Sequence, residues 1–217
     1  MKAAALLSGG KDSIFALHWA VLHGIDICCT LTLKPPEDSL LLQFNAVEVT
    51  KLQSASMGIR NYFMEGSEDL IIDLLEIAKR NGATHVVTGA LLSDYQRQRM
   101  SFLSQKLGLR VINPIWKINQ EEYMRNLVRY GFEFILVRVA SMGLGPEFLG
   151  RPITQNDIEL IIELSRKYKF NPAFEGGEAE TLVIYAPLFK KRLNVKGRIV
   201  RRGPDDWIYQ ITDAWLE

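Results

Sequence analysis

The chain has 217 residues, enough for one large domain or two small ones. Hydrophobic residues make up 47% and charged residues 24%, which is ordinary globular usage and excludes a disordered, collagen-like or low-complexity chain. The 26 basic and 25 acidic residues leave a formal charge of +1, so no global positive field favours direct nucleic acid binding. No apolar run reaches the roughly 20 residues of a bilayer span, and the N-terminus lacks a signal-peptide pattern. We therefore expect a cytoplasmic protein with no membrane partner.

Cysteine and histidine residues show no metal-binding pattern. Cys28 and Cys29 are adjacent in an apolar stretch, where they cannot easily pair with each other or form a zinc site, so we expect two buried thiols. His18, His23 and His85 lack ligand spacing, and we interpret them as packing or surface residues.

Short apolar runs alternate with amphipathic stretches up to about residue 115, the pattern of βα units around a parallel sheet. The expected strands are Lys2–Leu7, Ile25–Leu33, Ile59–Phe63, His85–Thr88 and Leu109–Ile112. The expected helices run from the Ser8–Ser13 turn to Gly24, over Leu40–Met57, from a Ser67 cap to Gly82, and over Tyr95–Leu107. The alternation predicts an α/β fold with a doubly wound, mainly parallel, Rossmann-like sheet of five strands in residues 1–117.

The pattern changes in residues 118–217, which we predict to be a smaller α+β region. Helices are expected over Gln120–Tyr130 and Thr154–Tyr168, strands over Phe132–Val139, Leu182–Tyr185, Arg198–Arg201 and Trp207–Thr212, and a glycine-rich loop over Ser141–Gly150. The turn Gly203–Asp206 predicts that the last two strands form an antiparallel hairpin.

The segment Ser8–Ser13, with sequence SGGKDS, lies between the first predicted strand and the helix that follows it. Two glycines let backbone N–H groups approach phosphate oxygens, the helix start adds positive dipole, and Lys11 adds a charge. It is not a Walker A loop, because Ala5 stands where that motif has glycine and Lys11 is followed by Asp12. The segment therefore predicts a different kind of phosphate cradle.

Asp12 places a carboxylate beside the expected polyphosphate, which is repulsive unless a divalent cation lies between them. We therefore predict that Asp12 binds Mg²⁺, the alternative being a plain helix-start cap.

The hexapeptide resembles the pyrophosphate loop of the N-type ATP pyrophosphatases, a superfamily that splits ATP into AMP and pyrophosphate. Three further segments resemble the signature segments of the diphthine–ammonia ligase family: Gly89–Arg99, Gly143–Leu144 with Phe148–Arg151, and Glu175–Thr181. Together with the loop they span residues 8 to 181, nearly the whole chain. The family usually has tyrosine where this chain has Ala179, so a contact through that ring is absent here.

The resemblance implies a Rossmann-like fold of the HUP type and an ATP-driven ligase. The implied reaction amidates the diphthine carboxylate of elongation factor 2 with ammonium through an acyl-adenylate, and it releases AMP and pyrophosphate. ATP would lie across the carboxyl ends of the strands, with adenine near Thr30–Leu33 and the ribose or α-phosphate near Gly89.

These considerations assign roles to three groups of residues. The expected catalytic residues are Lys11, Asp12, Glu175, Glu178, Glu180 and Thr181. ATP is expected to contact Ser8, Gly9, Gly10, Lys11, Asp12, Ser13, Thr32 and Gly89, with Asp12 as the metal ligand. The protein substrate is expected to contact Ser93, Tyr95, Gln96, Arg97, Arg99, Gly150 and Arg151.

Each assignment has a simpler alternative. Glu175–Thr181 crowds three carboxylates, which could hold Mg²⁺, orient ammonium or accept its proton, or could form a solvated acidic turn. Tyr95–Arg99 could contact substrate or be an exposed charged helix capped by Ser93-Asp94. The basic residues of Lys190–Arg202 read first as a solvated face and second as a docking surface for an RNA-associated protein.

Two other functions are alternatives to the ligase. A tRNA-thiolating enzyme of the same superfamily needs separate catalytic cysteines, which adjacent thiols within one strand do not supply. An ATP-binding regulatory module without turnover does not account for the acidic segment. The sequence leaves the oligomeric state open, a homodimer included.

Overall fold

The structure is a computed structural model that describes residues 1–34 and 49–217. The expected helix Leu40–Met57 begins outside the described residues. The chain divides into two compact units, Met1–Lys117 and Ile118–Glu217.

The first unit is a parallel sheet with helices. Its strands are β1 (Lys2–Leu6), β2 (Asp26–Lys34), β3 (Asn61–Glu65), β4 (His85–Val87) and β5 (Arg110–Ile112), in the spatial order β3-β2-β1-β4-β5. Its helices are α1 (Lys11–Leu22), α2 (Thr50–Met57), α3 (Ile71–Arg80) and α4 (Asp94–Lys106). Each of the strand pairs among the described residues of this unit is parallel, which confirms the predicted doubly wound α/β fold.

The central strand β1 has the sequence KAAAL, and its three alanines and Leu6 are buried. Burial of both faces is typical of a parallel strand covered by helices. One part of the core joins Leu31 and Leu33 of β2 to Leu74 and Leu75 of α3 and to Val86 of β4.

The strand order reverses at β1. From β1 the chain proceeds to β2 and then β3 on one side of the sheet, and it crosses to β4 on the other side. The carboxyl ends of β1 and β4 therefore lie side by side at the point where open α/β sheets bind their ligands.

The second unit is an antiparallel sheet with two helices. Its strands are β6 (Glu133–Ala140), β7 (Ala179–Tyr185), β8 (Leu193–Arg201) and β9 (Asp206–Leu216), in the order β7-β6-β9-β8. Its helices are α5 (Gln120–Arg129) and α6 (Gln155–Tyr168). The predicted α+β region and its C-terminal hairpin are confirmed, although β7, β8 and β9 are longer than the expected strands.

One predicted cap is wrong. The Ser67 side chain makes no capping hydrogen bond, because the chain first forms a 3-10 turn over Glu68–Leu70 and α3 begins only at Ile71. Gly58, in contrast, ends α2 in the left-handed conformation, and Gly24, also with positive φ, follows the end of α1.

The two cysteine sulfurs lie 3.6 Å apart as free thiols. Cys29 is buried and Cys28 is only partly so, which corrects the expectation of two buried thiols. Burial raises the pKa of the Cys29 thiol to about 12. Within residues 1–34 and 49–217, no helix is long and apolar enough to cross a membrane.

Candidate active site

The segment Ser8–Ser13 forms a loop closed by its own side chains at the carboxyl end of β1. The Ser13 hydroxyl accepts a hydrogen bond from the Ser8 backbone N–H at 3.2 Å and donates to the Gly10 carbonyl at 3.1 Å. Gly9 has a φ of 85°, a left-handed conformation that favours glycine. Helix α1 starts directly after Gly10, which has no side chain to cap the helix. The first N–H groups of a helix point out of its N-terminus, where an anion can accept their hydrogen bonds.

Lys11 and Asp12 form an ion pair at this helix start. The Lys11 Nζ lies 2.8 Å from Asp12 Oδ2, and the lysine side chain is only 2% exposed. The Asp12 side chain keeps 17% exposure. The structure thus places the two expected catalytic groups of the loop in contact with each other, as neighbours that hold opposite charges at one helix end.

Thr32 supports the loop from β2. Its hydroxyl donates to the Leu7 carbonyl at 2.9 Å and accepts from the Asn61 side-chain amide at 3.0 Å, and the residue is 1% exposed. An adenine contact by Thr32 stays a prediction. The contacts that the structure gives it are to the Leu7 backbone just before the loop and to the Asn61 side chain.

Gly89, which follows β4, closes the other side of the switch point. A Cβ added there would lie 2.6 Å from the Asp12 carbonyl carbon and 2.7 Å from the Ser13 nitrogen. The two loops that follow β1 and β4 therefore touch through their backbones, and only glycine permits this approach. The structure brings Gly89 and the Ser8–Ser13 segment together, and the ATP contacts expected of these residues stay predictions.

Helix α4 carries the next group of expected contacts. Ser93 caps the helix by accepting from the Gln96 N–H at 3.3 Å, which confirms the predicted cap. Arg97 pairs with Asp94 at 3.1 Å and covers the Trp116 ring, and Arg99 lies 3.8 Å from Asp69. Tyr95 is exposed. The predicted substrate contacts on this helix stay predictions. Two of them, Arg97 and Arg99, form ion pairs with carboxylates of the same unit.

In the second unit, Gly150 and Arg151 hold the connection into α6. Gly150 has a φ of 70°, and the Tyr209 ring fills the space that a side chain would need. Arg151 binds Asp157 through both guanidinium NH groups, at 2.7 and 2.8 Å, and this pairing holds the pKa of the Asp157 carboxyl far below its usual range. Asp157 also completes the capping box of α6 with Thr154. The predicted substrate contacts of Gly150 and Arg151 stay predictions.

The acidic segment Glu175–Thr181 forms a tight turn that leads into β7. Glu178 clamps this turn, since its two carboxylate oxygens accept the backbone N–H groups of Asn171 and Gly176, each at 2.8 Å. Glu180 lies on β7 opposite Arg138 of β6, with 3.5 Å between its Oε1 and the guanidinium. Thr181 is buried. Carboxylates that look equivalent in the sequence therefore have different contacts in the structure.

Sequence reasoning missed two kinds of supporting residue. Gln53 and Asn61 hold the first loop and its flanking strand, and Arg138, itself bound to both oxygens of Asp206, faces Glu180. No local motif marks these residues, because each contacts its target across a long stretch of chain. Among the described residues, no group of three or more His, Cys, Asp or Glu is arranged to hold a metal ion.

A glycine-rich, lysine-bearing loop at the switch point of a doubly wound sheet defines an α/β protein built to bind a phosphate-bearing ligand. Two family models narrow this class. The model of the diphthamide synthase N-terminal domain matches residues 1–111, and that of the diphthamide synthase C-terminal domain matches residues 119–214. The chain belongs to the diphthamide synthase family.

Curated relatives agree with the family models. A protein of Bos taurus named diphthine–ammonia ligase is 31% identical over an alignment of 222 residues, and the match covers 90% of this chain and 83% of the relative. The Homo sapiens protein of that name matches to the same extent. A relative of that name from Schizosaccharomyces pombe is 34% identical over 219 residues. That match covers 89% of this chain but only 36% of the longer yeast protein.

A solved structure from Methanocaldococcus jannaschii, titled as a predicted subunit of tRNA methyltransferase, is similar with a TM-score of 0.43 and 15% identity. The match covers 86% of this chain and 98% of that one. At this level of similarity we derive nothing from it.

Proposed function

We propose that the chain is a diphthine–ammonia ligase that uses ATP to convert the diphthine carboxylate of elongation factor 2 into the amide of diphthamide. Ammonium is the nitrogen source, and AMP and pyrophosphate are the other products. The observation that carries the proposal is that the chain matches the models of both domains of one family. Relatives named diphthine–ammonia ligase also match it over nearly its whole length. The loop at the switch point adds a physical reason for ATP as the co-substrate.

We assign the ATP phosphates to the first unit. Backbone N–H groups at the start of α1 can donate to phosphate oxygens, and Lys11 adds a positive charge close to them. Because Lys11 is already paired with Asp12, a polyphosphate would compete with that carboxylate for the ammonium group. The pairing keeps Lys11 at the loop before ATP arrives, so little ordering remains to be done on binding.

The residues of the loop fit a bound Mg²⁺. Magnesium is usually held by one or two carboxylates together with substrate phosphates and water, so it does not need a cluster of protein ligands. Asp12 is a partly exposed carboxylate at the loop, and Ser8 and Ser13 add hydroxyl oxygens. When bound, Mg²⁺ would neutralise charge on the pyrophosphate that leaves.

Activation by ATP is needed because a carboxylate is a poor acyl donor. The diphthine carboxylate oxygen bonds to the α-phosphorus of ATP while the bond to pyrophosphate breaks, and the product is an acyl-adenylate. Ammonia then forms the C–N bond, AMP leaves with the electron pair of the broken C–O bond, and a proton is lost from nitrogen. Lys11 stabilises negative charge that grows on the leaving pyrophosphate, which accelerates the first step.

We assign the handling of ammonia to the acidic segment of the second unit. A carboxylate there can orient ammonium and accept the proton that nitrogen loses. Glu178 has both oxygens engaged by backbone N–H groups, so its role is to hold the turn in shape. We assign Glu175 and Glu180 to ammonia, and the Oε1 of Glu180 lies 3.5 Å from the Arg138 guanidinium.

The test is the complete reaction. The purified chain is incubated with ATP, Mg²⁺, ammonium and diphthine-bearing elongation factor 2, and the modified peptide is followed by mass spectrometry beside AMP release. We expect amide and AMP to form in equal amounts, and Lys11→Ala to abolish both while its circular dichroism matches the parent.

Two outcomes would contradict the proposal. Binding of ATP without release of AMP would indicate a regulatory module. Release of AMP only in the presence of a tRNA and a sulfur donor would indicate a thiolating enzyme. The high pKa of Cys29 argues against the latter, because a thiol must be deprotonated to act as a nucleophile.

A further inference from the structure

Helix α2 and strand β2 of the first unit carry buried polar side chains. Gln53 and Ser54 of α2 and Thr30 of β2 are fully buried, with relative exposures of 0%. The hydroxyls of Thr30 and Ser54 lie 2.8 Å apart, and the Asn61 amide donates to Thr30 at 3.0 Å. Buried polar side chains cost free energy unless they are hydrogen-bonded, so the targets of their hydrogen bonds are informative.

One target is the phosphate loop itself. The Gln53 Nε2 donates to the Gly9 carbonyl at 3.0 Å, across 44 positions of sequence. Since the acceptor is a carbonyl oxygen, the glutamine must present its NH₂ group to it, which fixes the orientation of the amide.

The Gly9–Gly10 peptide is the part of the loop that most needs such a clamp. Glycine has no Cβ to restrict its dihedral angles, so a peptide between two glycines rotates more freely than any other. In a trans peptide the C=O and the N–H point in opposite directions. If the Gly9–Gly10 peptide rotated, its carbonyl oxygen would point toward a bound phosphate. While Gln53 binds that carbonyl oxygen, the Gly10 N–H points away from Gln53.

We propose that Gln53 is a positioning residue for polyphosphate binding: it holds the Gly9 carbonyl and thereby keeps the Gly10 N–H available as a phosphate donor. This inference rests on the proposed use of ATP. It accounts for a glutamine that has no exposed surface and donates to the loop. The other loop contacts described above are made by the loop's own serines. The clamp acts on phosphate and leaves the nucleoside part of ATP untouched.

The experiment compares two probes, Mg²⁺-pyrophosphate and adenosine, by calorimetry on the full chain. Gln53→Met has a similar side-chain length and no donor, and Gln53→Glu has the same shape but lacks the NH₂ group. We expect both variants to lose about tenfold or more in affinity for pyrophosphate, the effect of one charge-assisted hydrogen bond, with unchanged affinity for adenosine. We expect the parent's affinity for pyrophosphate only when the side chain at position 53 can donate a hydrogen bond.

Tyr62→Phe is the matched control. It removes one part-buried side-chain hydrogen bond of the same unit, from Tyr62 to Asn81 at 3.1 Å, without touching the loop. Both affinities should equal those of the parent. A purely structural role for Gln53 predicts instead that Gln53→Met and Tyr62→Phe differ from the parent in thermal stability alone, or that both probes weaken together.

Hydrogen exchange on the parent chain tests the clamp without any variant. The Gln53 side-chain amide should be protected from exchange, and the Gly10 amide resonance should shift when Mg²⁺-pyrophosphate is added. A rapidly exchanging Gln53 amide, or full pyrophosphate affinity in Gln53→Met, would overturn the inference alone. A parent chain that binds neither ATP nor pyrophosphate would overturn the proposed function with it.

Discussion

Replacing Gly89 with alanine tests whether the close approach of the two loops at the switch point matters for catalysis. The added Cβ would lie 2.6, 2.7 and 2.8 Å from three backbone atoms of Asp12 and Ser13, where ordinary contacts begin at 3.4 Å. No flexible side chain can move aside, because all three atoms are main chain. One backbone must therefore shift by about 0.6 to 0.8 Å, the shortfall from an ordinary contact.

This shift has two expected costs. Gly89 is partly buried, and overpacking against the backbone there is expected to lower the free energy of unfolding by about 1–3 kcal/mol. A displacement approaching 1 Å at a group that orients a reacting substrate can lower the rate on the order of 100-fold. Asp12 and Ser13 are part of the loop that we assign to the ATP phosphates. We therefore expect Gly89→Ala to reduce AMP release much more than its loss of stability would explain.

AMP release and urea unfolding, measured on the same preparations, test this expectation. Gly203→Ala provides the control, because its added Cβ has its nearest neighbour, the Asp206 Cβ, at 3.6 Å, and its φ lies outside the left-handed range. That variant should match the parent in both measurements. If Gly89→Ala also matched the parent, the loops would not need to touch, and the placement of the phosphates beside Gly89 would be wrong.

Three further predictions concern charge. Burial lowers the pKa of His18 from 6.5 to about 4. As the pH falls, His18 therefore gains a proton near pH 6.5 in the unfolded chain but only near pH 4 in the folded chain. The free energy of unfolding should therefore fall by up to about 3 kcal/mol as the pH drops through that window, and urea unfolding of His18→Met should lack this part of the slope. Asp12→Asn should shift the Mg²⁺ titration of AMP release to higher concentration, and an unchanged titration would remove Asp12 from the metal site. Glu178→Ala should lower amidation while calorimetry with a non-hydrolysable ATP analogue gives the parent's affinity, and an equal loss of ATP affinity would contradict the proposed separation of amidation from ATP binding.

The phosphate loop was predictable because its determinants are local. A strand, two glycines, a lysine and a helix start follow one another within residues 2 to 22, and hydrophobic periodicity places the loop between strand and helix. The contact with Gly89 was also predictable in outline, since parallel strands bring the loops after β1 and β4 to one edge of the sheet. Gln53 was not predictable, because its partner is 44 residues away and its helix carries no motif.

The roles within the acidic segment could not be derived from spacing. Glu175, Glu178 and Glu180 have the same chemistry, and a sequence shows only that three carboxylates are close together. Their surroundings in the fold decide what each of them contacts. Glu178 is followed by the start of β7, and the turn before it curls back so that two N–H groups point at its carboxylate.

The glycines of this segment also have a meaning that composition does not reveal. A side chain at Gly176 would meet the Glu178 carboxylate, with only 2.6 Å between its Cβ and Oε1, so glycine makes room for the clamp. The pair Gly176-Gly177 is therefore part of an ordered turn. A carboxylate that receives a proton from ammonia must be in place when nitrogen attacks, and a turn ordered during folding needs no further ordering at that moment. This agrees with our proposal that Glu175 or Glu180, carried on the turn and the strand that follows it, accepts the proton, while Glu178 holds the turn through two backbone N–H groups.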